Sequence, residues 1–164
     1  MKFKNMFSPI QIGPMTVKNR FVVPPMGNNF ANSDGTWSDE SVAYYGERAK
    51  GQFGLITIEA TVVHKGAKGG PKKPCLYDDN SIESLKKITD ACHEEGAKVS
   101  IQLQNAGPEG NAKNAGAPIQ AATAIASADG RDIPEEVSTE KVYELVKGYG
   151  EACLLYTSDA ADDK

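Results

Sequence analysis

The stretch Asn19-Arg20-Phe21-Val22-Val23-Pro24-Pro25-Met26-Gly27 decides how the rest of the chain is interpreted. Its apolar centre, residues 21–23, shows no polar alternation, which is typical of a strand buried on both faces of a parallel sheet. Two prolines follow, and because neither has a backbone N–H, the ladder of hydrogen bonds ends there. The loop after such a strand is where α/β folds place their ligands. A strand followed by a stiff loop without a functional role is the alternative.

Length and composition indicate one globular domain with an ordinary surface. The chain has 164 residues, of which 40% are hydrophobic and 24% charged, with a net charge of −4. This charge gives no reason to expect nucleic acid or an anionic membrane as a partner. No apolar run approaches the roughly 20 residues of a membrane helix. Residues 1–5 lack the apolar core of a secretory signal, so we expect a cytoplasmic protein.

Metal-binding and nucleophilic patterns are absent from the sequence. The three cysteines, Cys75, Cys92 and Cys153, have no zinc spacing, so we expect reduced thiols and no metal site. His64 and His93 have no partner at motif spacing, and neither is favoured as a catalytic base.

Strands and helices alternate on either side of the opening stretch. Residues 10–12 and 15–17 flank a Gly-Pro turn and predict a β-hairpin. After the strand at 21–23, Ser38 is placed to cap a helix that ends near residue 50. An apolar strand at 55–60 follows, again of the kind buried on both faces.

The second half of the chain repeats this alternation. Asn80 is the expected N-cap of a helix, with Glu83 in the capping-box position, and residues 98–104 form the next strand. Residues 108–137 are expected to form a long loop, which in a compact domain is usually functional. Ser138 then caps a helix whose predicted apolar positions are Val142, Leu145, Val146 and Tyr149.

This order predicts an α/β fold: a partial (β/α)8 TIM barrel made of an N-terminal hairpin and the first three βα units. A doubly wound Rossmann sheet is disfavoured because residues 24–28 do not match GxGxxG. The glycine-rich, basic residues 65–74 are open to two interpretations, a phosphate cradle or a mobile surface loop. Without a GxxxxGK[ST] pattern, the surface loop is favoured.

Several short segments, in the right order, give the chain a family resemblance. It resembles the N-terminal part of the Old Yellow Enzyme-like FMN oxidoreductases, and within them the branch containing 2,4-dienoyl-CoA reductase and the bile-acid-inducible reductases. The matching segments are Met6-Phe7-Ser8-Pro9, Lys18-Asn19-Arg20, Pro25-Met26, Gly54-Leu55-Ile56, Glu59-Ala60, Ile101-Gln102-Leu103 and Ala106-Gly107.

The resemblance implies a TIM barrel with FMN at the C-terminal ends of its strands. It places Ala60 near the pyrimidine side of the flavin and the Gln102 amide on flavin N3 and O2. An amide suits that task because it carries a donor and an acceptor in one plane, although a Gln bonded to backbone is the alternative. Backbone groups beside the flavin ring are expected from Pro24, Pro25, Met26 and Gly27.

Two positions depart from the family pattern. Many relatives carry Thr or Cys where this chain has Gly27, and that side chain tunes the flavin. Relatives also often have His where this chain has Asn105. Flavin binding is still expected here, but the redox potential is the property that these departures affect.

The implied activity is the reduction of a C=C bond in a small α,β-unsaturated carbonyl or enoyl substrate by NAD(P)H through FMN. The resemblance also implies homo-oligomers for the full-length protein and, in some members, a 4Fe-4S cluster and FAD in a C-terminal part that this chain lacks. Two alternatives stay open. One is another TIM-barrel enzyme without flavin, which would need a Schiff-base lysine that the three strands do not offer. The other is a truncated, non-catalytic fragment.

The chain is shorter than the fold it predicts. A TIM barrel takes about 250 residues, so we expect residues 1–152 to be the N-terminal part of an FMN-binding barrel and the catalytic residues to lie beyond it. Residues 153–162 match one reading frame of a transposase library adapter. We therefore expect 153–164 to be a non-native tail, with a native acidic tail as the alternative.

Overall fold

The computed structural model describes residues 3–128 and 132–157 and shows an α/β fold with a parallel sheet. Parts of the predicted loop at 108–137 and of the predicted tail at 153–164 lie outside these residues. The strands are β1 Ile10–Ile12, β2 Met15–Val17, β3 Val22–Val23, β4 Leu55–Val62, β5 Lys98–Gln104, β6 Gln120–Ala121 and β7 Glu135–Glu136. The α-helices are α1 Asp39–Lys50, α2 Ile82–Glu94, α3 Ala112–Ala115 and α4 Thr139–Leu155.

The predicted hairpin and parallel sheet are both confirmed. β1 pairs antiparallel with β2, and Gly13, at φ 56°, supplies the left-handed turn residue between them. β3, β4 and β5 form a parallel sheet in that order, with Val23 opposite Ile56 and Ile56 opposite Val99. The helices between these strands make the crossovers that parallel pairing requires.

One face of this sheet carries the core. Ile56 and Ile58 of β4 point into a cluster with Tyr45 of α1 and with Leu85 and Ile88 of α2, and all five side chains are buried. Alternation along the strands puts Val22, Thr57 and Ser100 on the other face. There the Thr57 and Ser100 hydroxyls lie 2.8 Å apart.

The expectation that residues 21–23 are buried on both faces is therefore wrong. Val23 is 6% exposed, whereas Val22 is 48% exposed. Within the described residues, the helices cover only the face to which Val23 points. An apolar run predicts a strand but does not say which face is covered.

Helix starts follow local side chains. Ser38 caps α1 as predicted, because its Oγ accepts the N–H of Ser41 at 3.2 Å. Asn80 does not cap α2. A 3-10 turn over Asp79–Ser81 precedes that helix, and the Asp78 carboxylate accepts the Asn80 N–H at 3.1 Å. Asp78, two residues earlier, is already the acceptor at the start of the turn.

Residues 65–74 lie partly at the surface, as predicted, but the first half of the segment is packed against the domain. A 3-10 turn covers Lys65–Ala67, and Ala67 and Lys68 are buried at 0% and 6% exposure. The Lys68 Nζ donates to the backbone oxygen of Ser33 at 2.9 Å, and its carbonyl accepts the N–H of Asn111 at 3.1 Å. The side chain and the backbone of Lys68 thus both form hydrogen bonds with other parts of the domain.

α4 is capped by Ser138 as predicted, but its buried face is not the predicted one. Val142, Val146 and Tyr149 are exposed. Ala152 is instead buried, and the Tyr156 hydroxyl donates to the Val99 carbonyl at 2.7 Å. α4 passes through the predicted boundary at residue 152, which stays a prediction.

Candidate functional site

The candidate site lies where β3, β4 and β5 end. Parallel strands bring their carboxyl ends to one edge of the sheet. Ile58 pairs with Ile101 and Thr61 with Leu103, with a register shift between the two pairs. Ala60 and Gln102 therefore lie at the same level of neighbouring strands, within the stretch where the register shifts.

The residues after β3 reach the same edge. The Asn28 N–H donates to a Glu59 carboxylate oxygen at 3.3 Å, so the loop after β3 lies against the end of β4. Pro24, Met26 and Gly27 are exposed, and Pro25 is partly buried. The structure thus brings all six predicted flavin-binding positions to one end of three adjacent strands, where their roles stay a prediction.

Gln102 presents a free amide at this edge. Its side chain is exposed rather than buried, and it makes no hydrogen bond among residues 3–128 and 132–157. The alternative of a Gln bonded to backbone is not what the structure shows. A donor and an acceptor in one plane remain available to a ligand.

Glu59 is the buried acid of the site. It ends the apolar run of β4 and has 0% exposure. Its backbone N–H donates to the Tyr45 hydroxyl at 2.9 Å, and its Oε2 lies 3.8 Å from the Lys73 ammonium. Its Oε1 has no hydrogen-bond partner within the described part of the chain. Burial raises the pKa of this carboxyl, while the nearby Lys73 charge and the Asn28 N–H oppose that rise.

Lys73 approaches the loop after β3 from the segment that follows β4. A Cβ added to Gly27 would lie 2.8 Å from the Lys73 Nζ, so the ammonium fills the space that a side chain at position 27 would need. The Lys73 side chain is 24% exposed. Its charge therefore faces the site edge while its partner carboxylate is buried.

The remaining groups with catalytic potential are histidines and cysteines. The His64 Nδ1 accepts the N–H of Gly66 at 3.2 Å, and burial is the main reason that its pKa is lowered. All three cysteines are free, and burial raises the pKa of Cys92 to about 12. Among the described residues, no three acidic, histidine or cysteine side chains are grouped to hold a metal ion. Nor does any described helix have the length and apolar character to cross a membrane.

Sequence reasoning assigned no role to Glu59, Lys73 or Asn28. For Glu59 a signal existed, because it is the single charged residue in an otherwise apolar strand. For Lys73 there was none, since it is one of several lysines in a segment interpreted as a surface loop. Asn28 has a second polar group of interest, a buried Nδ2 without a partner in the described residues.

The donor set suits a planar, electron-accepting heterocycle. A free amide can pair with an imide edge, which offers an N–H between carbonyl oxygens. The exposed backbone of the loop after β3 lies at the same end of the sheet as this amide. The Lys73 ammonium lies over Gly27, where it would stabilise negative charge on a bound ring. These are the features expected of a site for a flavin ring, and the residues present fit FMN.

Several known proteins are similar to this chain in sequence or in structure. The chain is 35% identical over 150 residues to the NADPH dehydrogenase of Bacillus subtilis (strain 168), covering 91% of this chain and 44% of that protein. The 2-naphthoyl-CoA reductase structure superposes with a TM-score of 0.90 at 27% identity, covering 96% of this chain and 26% of that one. The Old Yellow Enzyme of Pichia sp. AKU4542 gives a TM-score of 0.86 at 29% identity, covering 96% and 44%.

The chain therefore spans less than half the length of these proteins. The model of the NADH:flavin oxidoreductase / NADH oxidase family matches residues 5–163, which is nearly the whole sequence. Because that match and the NADPH dehydrogenase alignment cover the strand ends described above, the chain belongs to the NADH:flavin oxidoreductase / NADH oxidase family.

Proposed function

We propose that the protein containing this chain is an FMN-dependent oxidoreductase that uses NAD(P)H to reduce the C=C bond of an α,β-unsaturated carbonyl or enoyl compound. The observation that carries the proposal is the free Gln102 amide, exposed beside Ala60 and the loop after β3. Family membership supports the flavin, and the NADPH dehydrogenase relative supports the hydride donor.

Each proposed binding residue has a physical task. Gln102 pairs its amide with the imide edge of the ring and so fixes the ring's orientation. Ala60 leaves room for the ring to approach the end of β4. The backbone wall of the site comes from Pro24, Pro25, Met26 and Gly27. When bound, FMN supplies the hydride-transfer chemistry, and the protein holds it and excludes water.

We propose that β3, β4 and β5 are the first strands of a (β/α)8 barrel. The sheet face that the helices leave open carries Val22 together with the paired hydroxyls of Thr57 and Ser100. A barrel places one face of every strand inside and its helices outside. This arrangement explains why Val22 is exposed while Val23, which points to the other face of the sheet, is buried.

Several finer properties belong to the same proposal. The branch is the one containing 2,4-dienoyl-CoA reductase and the bile-acid-inducible reductases, and the likeness to 2-naphthoyl-CoA reductase supports it. A 4Fe-4S cluster and FAD, which some members of that branch have, would be carried by a C-terminal part outside this chain. A cytoplasmic location, a homo-oligomer and a domain limit at residue 152 stay predictions. This chain alone is expected to be inactive.

The decisive experiment is flavin binding by the complete gene product that carries this chain. We expect about one FMN per protein, seen as flavin absorbance after purification. Gln102→Leu should weaken FMN binding by roughly tenfold, since losing a buried-site hydrogen bond costs about 1–2 kcal/mol. Gln11→Leu is the matched control, because Gln11 lies in β1 of the hairpin and its described hydrogen bonds are local ones with Gly13 and Thr16.

A folded complete protein that neither retains nor binds FMN would overturn the proposal. If flavin binds but Gln102→Leu and Gln11→Leu behave alike, the assignment of Gln102 is wrong while the flavin function stands. NAD(P)H oxidation that depends on an added enoyl compound separates the ene-reductase from a flavin-free barrel enzyme.

A further inference from the structure

One charged pair at the candidate site is not used by the function proposed above. The Lys73 ammonium lies over Gly27, at 2.8 Å from where a Cβ of that residue would be. The acid beside it, Glu59, has no exposed surface. Gly27 belongs to the loop that would form one wall of the flavin site, so the ammonium lies next to that wall.

We propose that Lys73, held over Gly27 by Glu59, sets the reduction potential of the flavin bound at this edge, an inference that rests on the function proposed above. Glu59 is a positioning residue in this scheme, and Lys73 is the residue whose charge acts on the ring. The lysine thereby occupies the place of a side chain that position 27 does not have.

Glu59 is well suited to hold the lysine. Its Oε2 accepts the Asn28 N–H at 3.3 Å and lies 3.8 Å from the Lys73 Nζ, so one oxygen contacts both the loop and the cation. The carboxylate cannot turn away to solvent because the side chain is fully buried. The cation is consequently kept at the site edge instead of extending into water.

A second observation indicates that the polar cluster is incomplete as it stands. The Glu59 Oε1 and the Asn28 Nδ2 are both buried, and neither has a hydrogen-bond partner in residues 3–128 or 132–157. Buried polar atoms without partners are costly and are rare in folded proteins. An acceptor and a donor therefore remain for a further polar group at the wall of the flavin site.

The charges of the pair act in opposite directions. Hydride carries two electrons and one proton, so its transfer to a flavin adds one negative charge to the ring. A fixed ammonium nearby stabilises that charge and favours reduction, whereas a fixed carboxylate disfavours it. Lys73 should thus raise the reduction potential of the flavin and Glu59 should lower it, and each charge can be removed separately by substitution.

The test measures the flavin potential of the complete gene product against a redox dye, at about pH 9, where a glutamate is ionised. Removal of Lys73 alone would raise the pKa of Glu59 further, and any uptake of a proton would offset part of the change of charge. The lysine is therefore removed in a Glu59→Gln background, in which the amide oxygen can still accept hydrogen bonds from the Lys73 ammonium and the Asn28 N–H. Lys72→Met in the same background is the control, because Lys72 is the exposed neighbour and forms no ion pair within the described residues.

Glu59→Gln should raise the potential, and adding Lys73→Met should lower the equilibrium constant of reduction at least tenfold, about 30 mV for a two-electron couple. Adding Lys72→Met should leave it unchanged. Equal potentials for the Lys73 and Lys72 double variants, with flavin bound in both, would overturn the inference and leave the proposed function intact.

Loss of flavin binding in the unmodified protein would instead overturn both. If the Glu59→Gln background does not fold, Lys73→Met and Lys72→Met are compared in the unmodified protein at about pH 9, well above the ordinary pKa of a glutamate. A lower potential for Lys73→Met alone supports the inference. A change in melting temperature without a change in potential means that the pair is only structural, and overturns it.

Discussion

Replacing Tyr45 by Phe should destabilise the chain through one backbone group. The Tyr45 side chain is 1% exposed, and its hydroxyl accepts the N–H of Glu59 at 2.9 Å. The substitution keeps the ring, so no large cavity forms. It removes the acceptor of an N–H that cannot reach water, because Glu59 is completely buried. An unsatisfied buried donor costs about 1–3 kcal/mol.

Urea unfolding measures this cost directly. Trp37 is the sole tryptophan of the chain and is 3% exposed, so its fluorescence reports on the core around α1. With a slope of about 2 kcal/mol per molar urea, a loss of about 2 kcal/mol lowers the midpoint by about 1 M. The slope itself should not change, since the same surface is exposed on unfolding.

Tyr44→Phe is the matched control for this measurement. Tyr44 precedes Tyr45 on α1, its ring packs against that of Tyr45 with centroids 5.1 Å apart, and its hydroxyl has no hydrogen bond among the described residues. Its midpoint should stay within a few tenths of a molar of the unmodified chain. Equal shifts of the midpoint for the two variants would refute the reasoning. Loss of any tyrosine hydroxyl would then have the same cost, and the hydrogen bond from the Glu59 N–H would add nothing to stability.

Two further predictions concern a buried charge and two glycines. Burial raises the pKa of Glu59 above its unfolded value of about 4.3, so the cost of its charge is absent below that pH and appears as the pH rises through the folded pKa. Glu59→Gln should accordingly gain stability relative to the unmodified chain as the pH rises above about 4, and urea midpoints that move in parallel would contradict this. Gly54→Ala should destabilise by about 1–3 kcal/mol, because its Cβ would lie 2.8 Å from the Asn19 carbonyl oxygen. Gly150→Ala in α4, where a Cβ meets nothing within 4 Å, should instead stabilise by up to about 1 kcal/mol, and thermal melting of the two variants distinguishes these signs.

Local chemistry made much of the fold predictable. The hairpin at residues 10–17, the Ser38 cap and the strand at 98–104 each depend on side chains a few positions apart. Parallel pairing followed from helices between strands. The Asn80 cap failed because Asp78 is an equally good acceptor nearby, and sequence order alone does not decide between them.

Predictions that depended on distant packing were the ones that failed. The apolar positions of α4 and the short apolar run of β3 predict a helix and a strand, but neither pattern identifies the partner that covers the apolar side chains. Val22 and Val146 are exposed as a result. The segment 65–74 has the composition of a surface loop, and only contacts such as that of Lys68 with the Ser33 carbonyl show that it is packed.

For the candidate site, too, the residues set by local sequence were predicted and those set by distant packing were not. Positions 24–27, 60 and 102 were found because they adjoin strand ends, where the chain direction alone places ligand-binding groups. Lys73 was missed because its position depends on a pairing with Glu59 across the end of β4 and on the space left free at Gly27. Gly27 has no side chain, and the Lys73 ammonium occupies the space that such a side chain would need. A substitution that restores a side chain at position 27 should therefore be tolerated better when Lys73 is shortened, because the two compete for the same space.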